Sequence, residues 1–198
     1  MKSLITFYIS ALQSINILLD EQNKINTYGY KTKRLHVFDE VEVGYVHDGK
    51  MIILAKDIVR EIVSVFFALL RKSLKNELAL DQSFGIGKVG YFFSNNNYMA
   101  TDESDEPEKK DDIFSQYWVW SSPDNIQTWL YNMNGKIYLE ISPTYPWLFA
   151  DPEEGESYIS FNEYINNYKP IAIIELQEPL VRTWINQCRD ILQAMETV

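Results

Sequence analysis

The sequence predicts an α+β fold with a largely antiparallel sheet, built from hairpins and a three-stranded meander and packed by N-terminal, central and C-terminal helices. Alternating segments are joined by two tight-turn signals, Asp48-Gly49 and Asn134-Gly135. Other segments repeat apolar residues at helical spacing. A length of 198 residues, 46% of them apolar, predicts a single domain over residues 1–198, with the acidic stretch at 102–112 as the alternative boundary.

The N-terminal segment predicts an amphipathic docking helix rather than a signal peptide. Polar residues interrupt the apolar stretch of residues 1–19 at helical spacing, and no small-residue cleavage site follows it. The polar face holds Ser3, Thr6, Ser10 and Gln13, and the apolar face holds Leu4, Tyr8, Leu12, Ile15 and Leu19. No uninterrupted apolar run reaches about 18 residues, so the sequence predicts no membrane span.

A β-hairpin and a long helix are predicted next. Residues 41–47 alternate, pass through the Asp48-Gly49 turn and continue into a second strand at 50–55. Asp57 is a suitable N-cap for an amphipathic helix. The apolar face of that helix carries Ile58, Ile62, Phe66, Leu69 and Leu70.

Two short strands and an acidic loop are predicted around the middle of the chain. Residues 89–94 predict a strand, the three asparagines at 95–97 a turn, and residues 98–101 a short partner strand. The stretch 102–112 has no apolar residue, which predicts a solvated loop.

The second half predicts a meander followed by a helix, a strand and a final helix. The three meander strands cover residues 116–120, 126–131 and 136–142. Ser160-Phe-Asn-Glu163 fits a capping box that opens a short helix, and residues 171–176 predict a buried strand. Pro179 starts the final helix. Its apolar face carries Val181, Trp184, Ile185, Cys188, Leu192 and Met195.

Charge and cysteine content exclude several classes of partner and site. The chain carries 18 basic and 28 acidic residues, a net charge of −10, which argues against nucleic acid and anionic membranes as partners because both would be repelled. One cysteine excludes an intramolecular disulfide and a cysteine zinc site, and a lone thiol favours a cytoplasmic location.

No motif predicts catalysis, and we expect no catalytic residue, cofactor or metal. The segment from Gly85 to Gly90 matches GxGxxG, but a dinucleotide site needs a helix after the motif, where this sequence predicts a strand, so we interpret it as a turn. Cys188 lies on an apolar helix face, which favours packing over a nucleophilic pair with His36 or His47. Neither acidic stretch has the twelve-residue pattern of a calcium loop.

Acidic and aromatic residues concentrate in residues 101–160. That segment has 3 basic and 13 acidic residues, hence a net charge of −10, equal to that of the whole chain. All five tryptophans lie in the second half, and alternation predicts that Trp118 and Trp120 share one face of a strand. Such a sheet is either covered on both faces, as a tryptophan-rich core with a solubilising acidic rim, or presents one face to a partner.

On the partner-binding interpretation, carboxylates steer a basic protein toward the surface and aromatic side chains anchor it. The expected steering residues are Asp102, Glu103, Asp105, Glu106, Asp111, Asp112, Asp151, Glu153, Glu154 and Glu156. The expected anchors are Trp118, Trp120, Tyr145 and Trp147.

A set of short segments runs through residues 114–195. After the tryptophan meander come Ile141-Ser-Pro143-Thr-Tyr-Pro146-Trp147, Phe161-x-x-Tyr164 with Tyr168-Lys-Pro170, and Trp184-x-x-Gln187-Cys188-x-x-Ile191-Leu192. In these segments the chain resembles the immunity proteins of bacterial polymorphic-toxin systems, small acidic α+β proteins that inhibit a cognate secreted toxin. The resemblance implies a non-enzymatic cytoplasmic inhibitor of one toxin, often a basic nuclease, and carries over no individual contact residue.

The leading hypothesis is therefore a non-catalytic acidic binding protein, an immunity-type inhibitor that occludes a basic toxin domain. Two alternatives stay open. An unrecognised carboxylate-dependent hydrolase would need an acidic pocket near Glu140 or Glu163. A self-associating scaffold subunit would need a flat apolar patch.

Overall fold

The chain folds into two four-stranded antiparallel sheets and four α-helices, counted over the residues that the structure describes. A computed structural model gives the structure and describes residues 1–20, 35–102, 114–148, 152 and 154–196, with the backbone alone at 99–102. This architecture confirms the predicted α+β class with antiparallel sheets.

The elements follow one another along the chain as hairpins separated by helices. The first sheet contains, in order, β1 (Lys2–Tyr8), β2 (Gln13–Leu19), β3 (Glu40–His47) and β4 (Lys50–Ile58). The second contains, in order, β5 (Trp118–Ser122), β6 (Ile126–Met133), β7 (Lys136–Pro143) and β8 (Ala172–Leu176). The helices are α1 (Val59–Leu74), α2 (Val89–Asp102), α3 (Phe161–Asn167) and α4 (Glu178–Glu196).

Both turn signals join the strands that they were predicted to join. Asp48 and Gly49 have φ values of 50° and 75°, and Asn134 and Gly135 have 53° and 73°. Two consecutive positive φ angles are the type I′ geometry, whose twist matches that of the flanking strands. The predicted hairpin, the meander and the long helix after Asp57 are all confirmed, but the N-cap of this helix is Ile58, because Asp57 still belongs to β4.

The N-terminal helix predicted for residues 1–19 is wrong, because the segment forms the hairpin β1–β2. Ile15 and Ile17 are fully buried, and their alternation with Ser14 and Asn16 has the two-residue period of a strand. β2 pairs in register with β3, so these isoleucines lie on the core side of a sheet. Of the polar residues at helical spacing, Ser3 and Thr6 lie in β1, Gln13 lies in β2 and only Ser10 lies in the turn.

The pair of strands predicted over residues 89–94 and 98–101 is also wrong, because this region forms α2. The aromatic and β-branched residues of this segment favour a strand locally. The start of the helix is held from a distance: the backbone N–H groups of Val89 and Gly90 donate to the Glu140 carboxylate at 3.3 and 3.0 Å. Glu140 lies on β7, so the contact that fixes this helix is tertiary.

Helices α1 and α4 pack on the side where the two sheets share a core. The Phe66 ring of α1 lies 5.4 Å from that of Phe7 on β1 and 4.7 Å from that of Trp120 on β5. It also lies 5.8 Å from the Trp184 ring of α4. One buried apolar cluster therefore contains side chains of both sheets.

The opposite face of the second sheet is covered by α2. The Phe93 ring of α2 lies 5.2 Å from the Trp129 ring of β6. A smaller cluster continues this layer toward α3, with Tyr145, Leu148, Phe161, Tyr164 and Tyr168. The second sheet is thus buried on both sides, and most of its aromatic residues belong to the core. In the described ranges, no helix is both long enough and apolar enough to cross a membrane.

Candidate functional site

The predicted anchors differ sharply in exposure. Trp118 has 42% of its surface exposed, whereas Trp120 and Tyr145 each have 3%. Trp120 also donates its indole N–H to the carbonyl oxygen of Ile62 at 3.2 Å, so it is committed to the core. Trp147 is half-buried. Of the four predicted anchors, Trp118 presents the most surface to a partner.

Trp118 is exposed because β5 contains a bulge. Trp118 pairs with Trp129 of β6, whereas Trp120 pairs with Thr128, so two steps along β5 correspond to one step along β6. An extra residue in one strand breaks the alternation of side chains. The prediction that Trp118 and Trp120 share a face is therefore wrong, and the bulge, which has no sequence signature here, is the reason.

Trp147 and Tyr145 tie down the chain around the second acidic stretch. The Trp147 indole donates to the Glu156 carboxylate at 3.2 Å, and its ring lies 5.1 Å from that of Tyr158. The Tyr145 hydroxyl donates to the carbonyl oxygen of Ile159 at 3.0 Å, and burial raises the pKa of Tyr145. These two aromatic side chains hold Glu156 and its neighbours against the body of the protein.

The structure places only some of the predicted steering acids. Glu154 and Glu156 are exposed in the segment before α3, and Asp102 is the last residue of α2. The others lie outside the described residues: Glu103, Asp105, Glu106, Asp111, Asp112, Asp151 and Glu153.

Two grooves meet at Trp118. One has a volume of about 240 Å³ and lies between β4, α1 and β5, with Asp57, Glu61 and Trp118 among its lining residues. The other has a volume of about 180 Å³ and is lined by Phe93, Ser115, Trp118, Gln127 and Trp129. The first brings an exposed aromatic side chain together with carboxylates from the opposite half of the chain.

Of the two grooves at Trp118, the larger one is acidic, and it adjoins a third groove that is also acidic. Lys56 also lines it, but its ammonium lies 2.9 Å from the Glu42 carboxylate, and this hydrogen bond raises the pKa of Lys56. The adjoining groove, of about 510 Å³, shares Lys56 and Asp57 and adds Asp20 and Glu40. Asp57 was predicted only as a helix cap, and because the acidic residues of the sequence concentrate in residues 101–160, the sequence gave no signal for this surface.

A second cluster of polar groups lies in the core, around Glu140. This carboxylate is fully buried. Besides the two backbone N–H groups at the start of α2, the hydroxyls of Tyr131 and Tyr168 donate to it at 3.1 and 3.3 Å. Burial raises the pKa of Glu140, although all four donors favour its charged form.

Glu140 explains why the glycine motif is not a phosphate site. A helix does open directly after Gly85–Lys88, so the strand predicted there is wrong, but a 3-10 helix (Gln82–Phe84) and not a strand precedes the motif. The N–H groups at the start of α2 also already donate to an internal acceptor, the Glu140 carboxyl group. Gly90 has a packing role: a Cβ atom there would lie 2.2 Å from the Ser142 Oγ.

The residues that were considered for hydrolysis lie in separate environments. Glu140 is enclosed by donors and lies away from solvent, and Glu163 is exposed on α3, where its backbone N–H donates to the Ser160 Oγ of the predicted capping box. Cys188 is fully buried in the core, and burial raises its pKa to about 12. Among the described residues, no group of three or more His, Cys, Asp or Glu side chains could hold a metal ion.

The architecture has a counterpart among solved structures. The chain is similar to CdiI from Burkholderia dolosa, a contact-dependent-inhibition immunity protein, with a TM-score of 0.50 over 92% of this chain and 94% of the other. The two sequences are 14% identical, so the likeness concerns the fold. No protein-family model and no curated protein sequence matches the chain.

Proposed function

We propose that this protein is a non-catalytic, immunity-type inhibitor that binds a toxin domain and occludes it. The observation that carries the proposal is the likeness to CdiI, which extends over nearly the whole length of both chains. It agrees with the resemblance of residues 114–195 to toxin immunity proteins. In this role the protein acts in the cytoplasm and needs no cofactor or metal.

Charge supports a basic partner. The net charge of −10 gives the protein a field that attracts a positively charged surface and accelerates encounter. Nuclease domains are one class of toxin with such a surface, since they bind a polyanion. The same field argues against nucleic acid as a direct partner of this chain.

The mechanism is occlusion, with separate roles for acids and aromatics. Acids in the stretches 102–112 and 151–156 steer the toxin, and the groove beside Trp118 anchors it. These regions adjoin in the chain: Asp111 and Asp112 precede Ser115, a lining residue of the smaller groove, by only a few residues. Asp57 and Glu61 add carboxylates at the larger groove.

A salt-graded pull-down tests this proposal. Tagged protein is incubated with native lysate and washed first at low and then at high salt, and each captured protein is produced alone in a susceptible cell. We expect a basic protein that is lost at high salt and arrests growth. Recovery of this chain alone would support a self-associating scaffold instead.

Association kinetics test the electrostatic part separately. Reversing Asp105, Glu106, Asp111 and Asp112 to lysine should lower the association rate with the captured toxin and flatten its dependence on salt. The dissociation rate should change much less, because exposed charges at the rim act mainly on encounter. An unchanged association rate would contradict steering by this stretch.

A further inference from the structure

The exposure of Trp118 makes it an exception among the aromatic residues of its sheet. Trp120 and Trp129 on the neighbouring positions are buried, whereas the bulge turns Trp118 out between two grooves. Each of the two grooves that Trp118 lines has room for single side chains, and the larger one continues into the acidic groove of about 510 Å³ beside Asp57. An exposed indole next to carboxylates suits the side chains of a protein partner.

The polar groups around Trp118 define the chemistry of what binds there. Asp57 and Glu61 line the larger groove and supply negative charge. Gln127 lines the smaller one, and its side-chain carbonyl oxygen is buried with no hydrogen-bond partner among the described residues. A buried acceptor without a donor is unfavourable. All three residues therefore favour a ligand that is positively charged and rich in hydrogen-bond donors.

We propose that the two grooves beside Trp118 receive an arginine-bearing loop of the partner. The guanidinium stacks on the indole in the larger groove and donates to the carboxylates of Asp57 and Glu61. Arginine fits better than lysine, because it is planar, stacks on aromatic faces and carries five donors in a fixed fork. This inference rests on the proposed function, since it names how the toxin would be recognised.

The test uses indole N–H resonances of the full-length ¹⁵N-labelled protein. The five tryptophans give five signals, and the Trp118→Phe variant assigns that of Trp118. The probe is the tripeptide Gly-Arg-Gly, with Gly-Lys-Gly as its matched control. We expect the arginine peptide to move the Trp118 signal more than the lysine peptide does, and the double variant Asp57→Asn, Glu61→Gln to weaken that response.

Two outcomes would overturn the arginine site. Equal shifts with both peptides would mean that the groove senses charge alone, and a response confined to Trp147 would move the site to the second acidic stretch. The Trp147→Phe variant is the control, because it removes a half-buried tryptophan outside both grooves and should leave the Trp118 response unchanged.

Binding to the captured toxin separates this inference from the proposed function. We expect Trp118→Ala to raise the Kd for the toxin by at least about tenfold, mainly through faster dissociation. If this variant neutralises the toxin and binds it with an unchanged Kd, the arginine site is refuted and the proposed function is retained. If the Trp118 signal responds to the arginine peptide but the chain neutralises no toxin, the proposed function is refuted and the arginine site is retained. Thermal melting of each variant confirms that the fold is retained.

Discussion

Replacing Glu140 with alanine removes the acceptor of four hydrogen bonds from the core. Two of the donors are backbone N–H groups at the start of α2, which cannot turn to other partners, and two are the hydroxyls of Tyr131 and Tyr168. Each buried donor left without an acceptor costs about 1–3 kcal/mol. Because the hydroxyls can rotate, we expect a net loss of about 3–5 kcal/mol in the free energy of unfolding.

Urea unfolding measures this loss. With an m-value of about 2 kcal/mol per molar, the midpoint should fall by about 1.5–2.5 M, a large part of the stability of an ordinary domain. Hydrogen exchange should localise the damage to the first turn of α2. The matched control is Glu154→Ala, an exposed glutamate in the segment before α3, which should change stability by less than about 0.5 kcal/mol. Equal midpoints for the two variants would refute the role assigned to Glu140.

The pH dependence of the same site has a definite sign. Burial raises the pKa of Glu140 above its unfolded-state value, so the folded state binds the proton more tightly than the unfolded chain does. The associated stability is fully present below the unfolded-state pKa and is lost as the pH rises through the raised pKa. Glu140→Gln does not titrate there. The stability of the wild type relative to this variant should therefore fall from acid to neutral pH, and a rise would contradict the assignment.

Three further predictions concern packing. Gly90→Ala should destabilise the protein by about 2–3 kcal/mol in urea unfolding, because its Cβ would lie 2.2 Å from the Ser142 Oγ and 2.7 Å from the Tyr168 hydroxyl; an unchanged midpoint would show that α2 can shift away from the sheet. Ile17→Ala should cost about 2–4 kcal/mol and Leu12→Ala less than about 0.5, since Ile17 is buried in β2 and Leu12 is exposed in the hairpin turn. Similar losses of stability at both positions would favour the N-terminal helix predicted from the sequence over the hairpin. Cys188 should react with a thiol reagent only as fast as the protein opens, because it is buried and burial raises its pKa to about 12. Rapid modification of the native protein would refute that burial.

Local signals in the sequence were sufficient wherever a short segment determines its own conformation. Asp48-Gly49 and Asn134-Gly135 have the positive φ angles that a two-residue hairpin needs, and Ser160 caps α3 as its spacing to Glu163 predicts. Together with the periodicity of apolar residues, such signals identified most of the strands and three of the four α-helices seen in the described residues.

Distant contacts account for the main errors. α2 is held at its start by Glu140, 50 positions away from Gly90, and a strand pattern of aromatic residues could not reveal that contact. The bulge at Trp118 depends on its pairing with β6. The acidic groove joins β4, α1 and β5, from both halves of the chain, so no stretch of sequence contains it.

We propose that this protein neutralises a toxin by binding it. The most direct measurement is the growth of cells that produce the captured basic protein, with and without co-production of this chain. We expect growth to stop without this chain and to resume with it, and the Trp118→Ala variant to protect less well at the same expression level. A complex that forms while growth stays arrested would contradict neutralisation by binding.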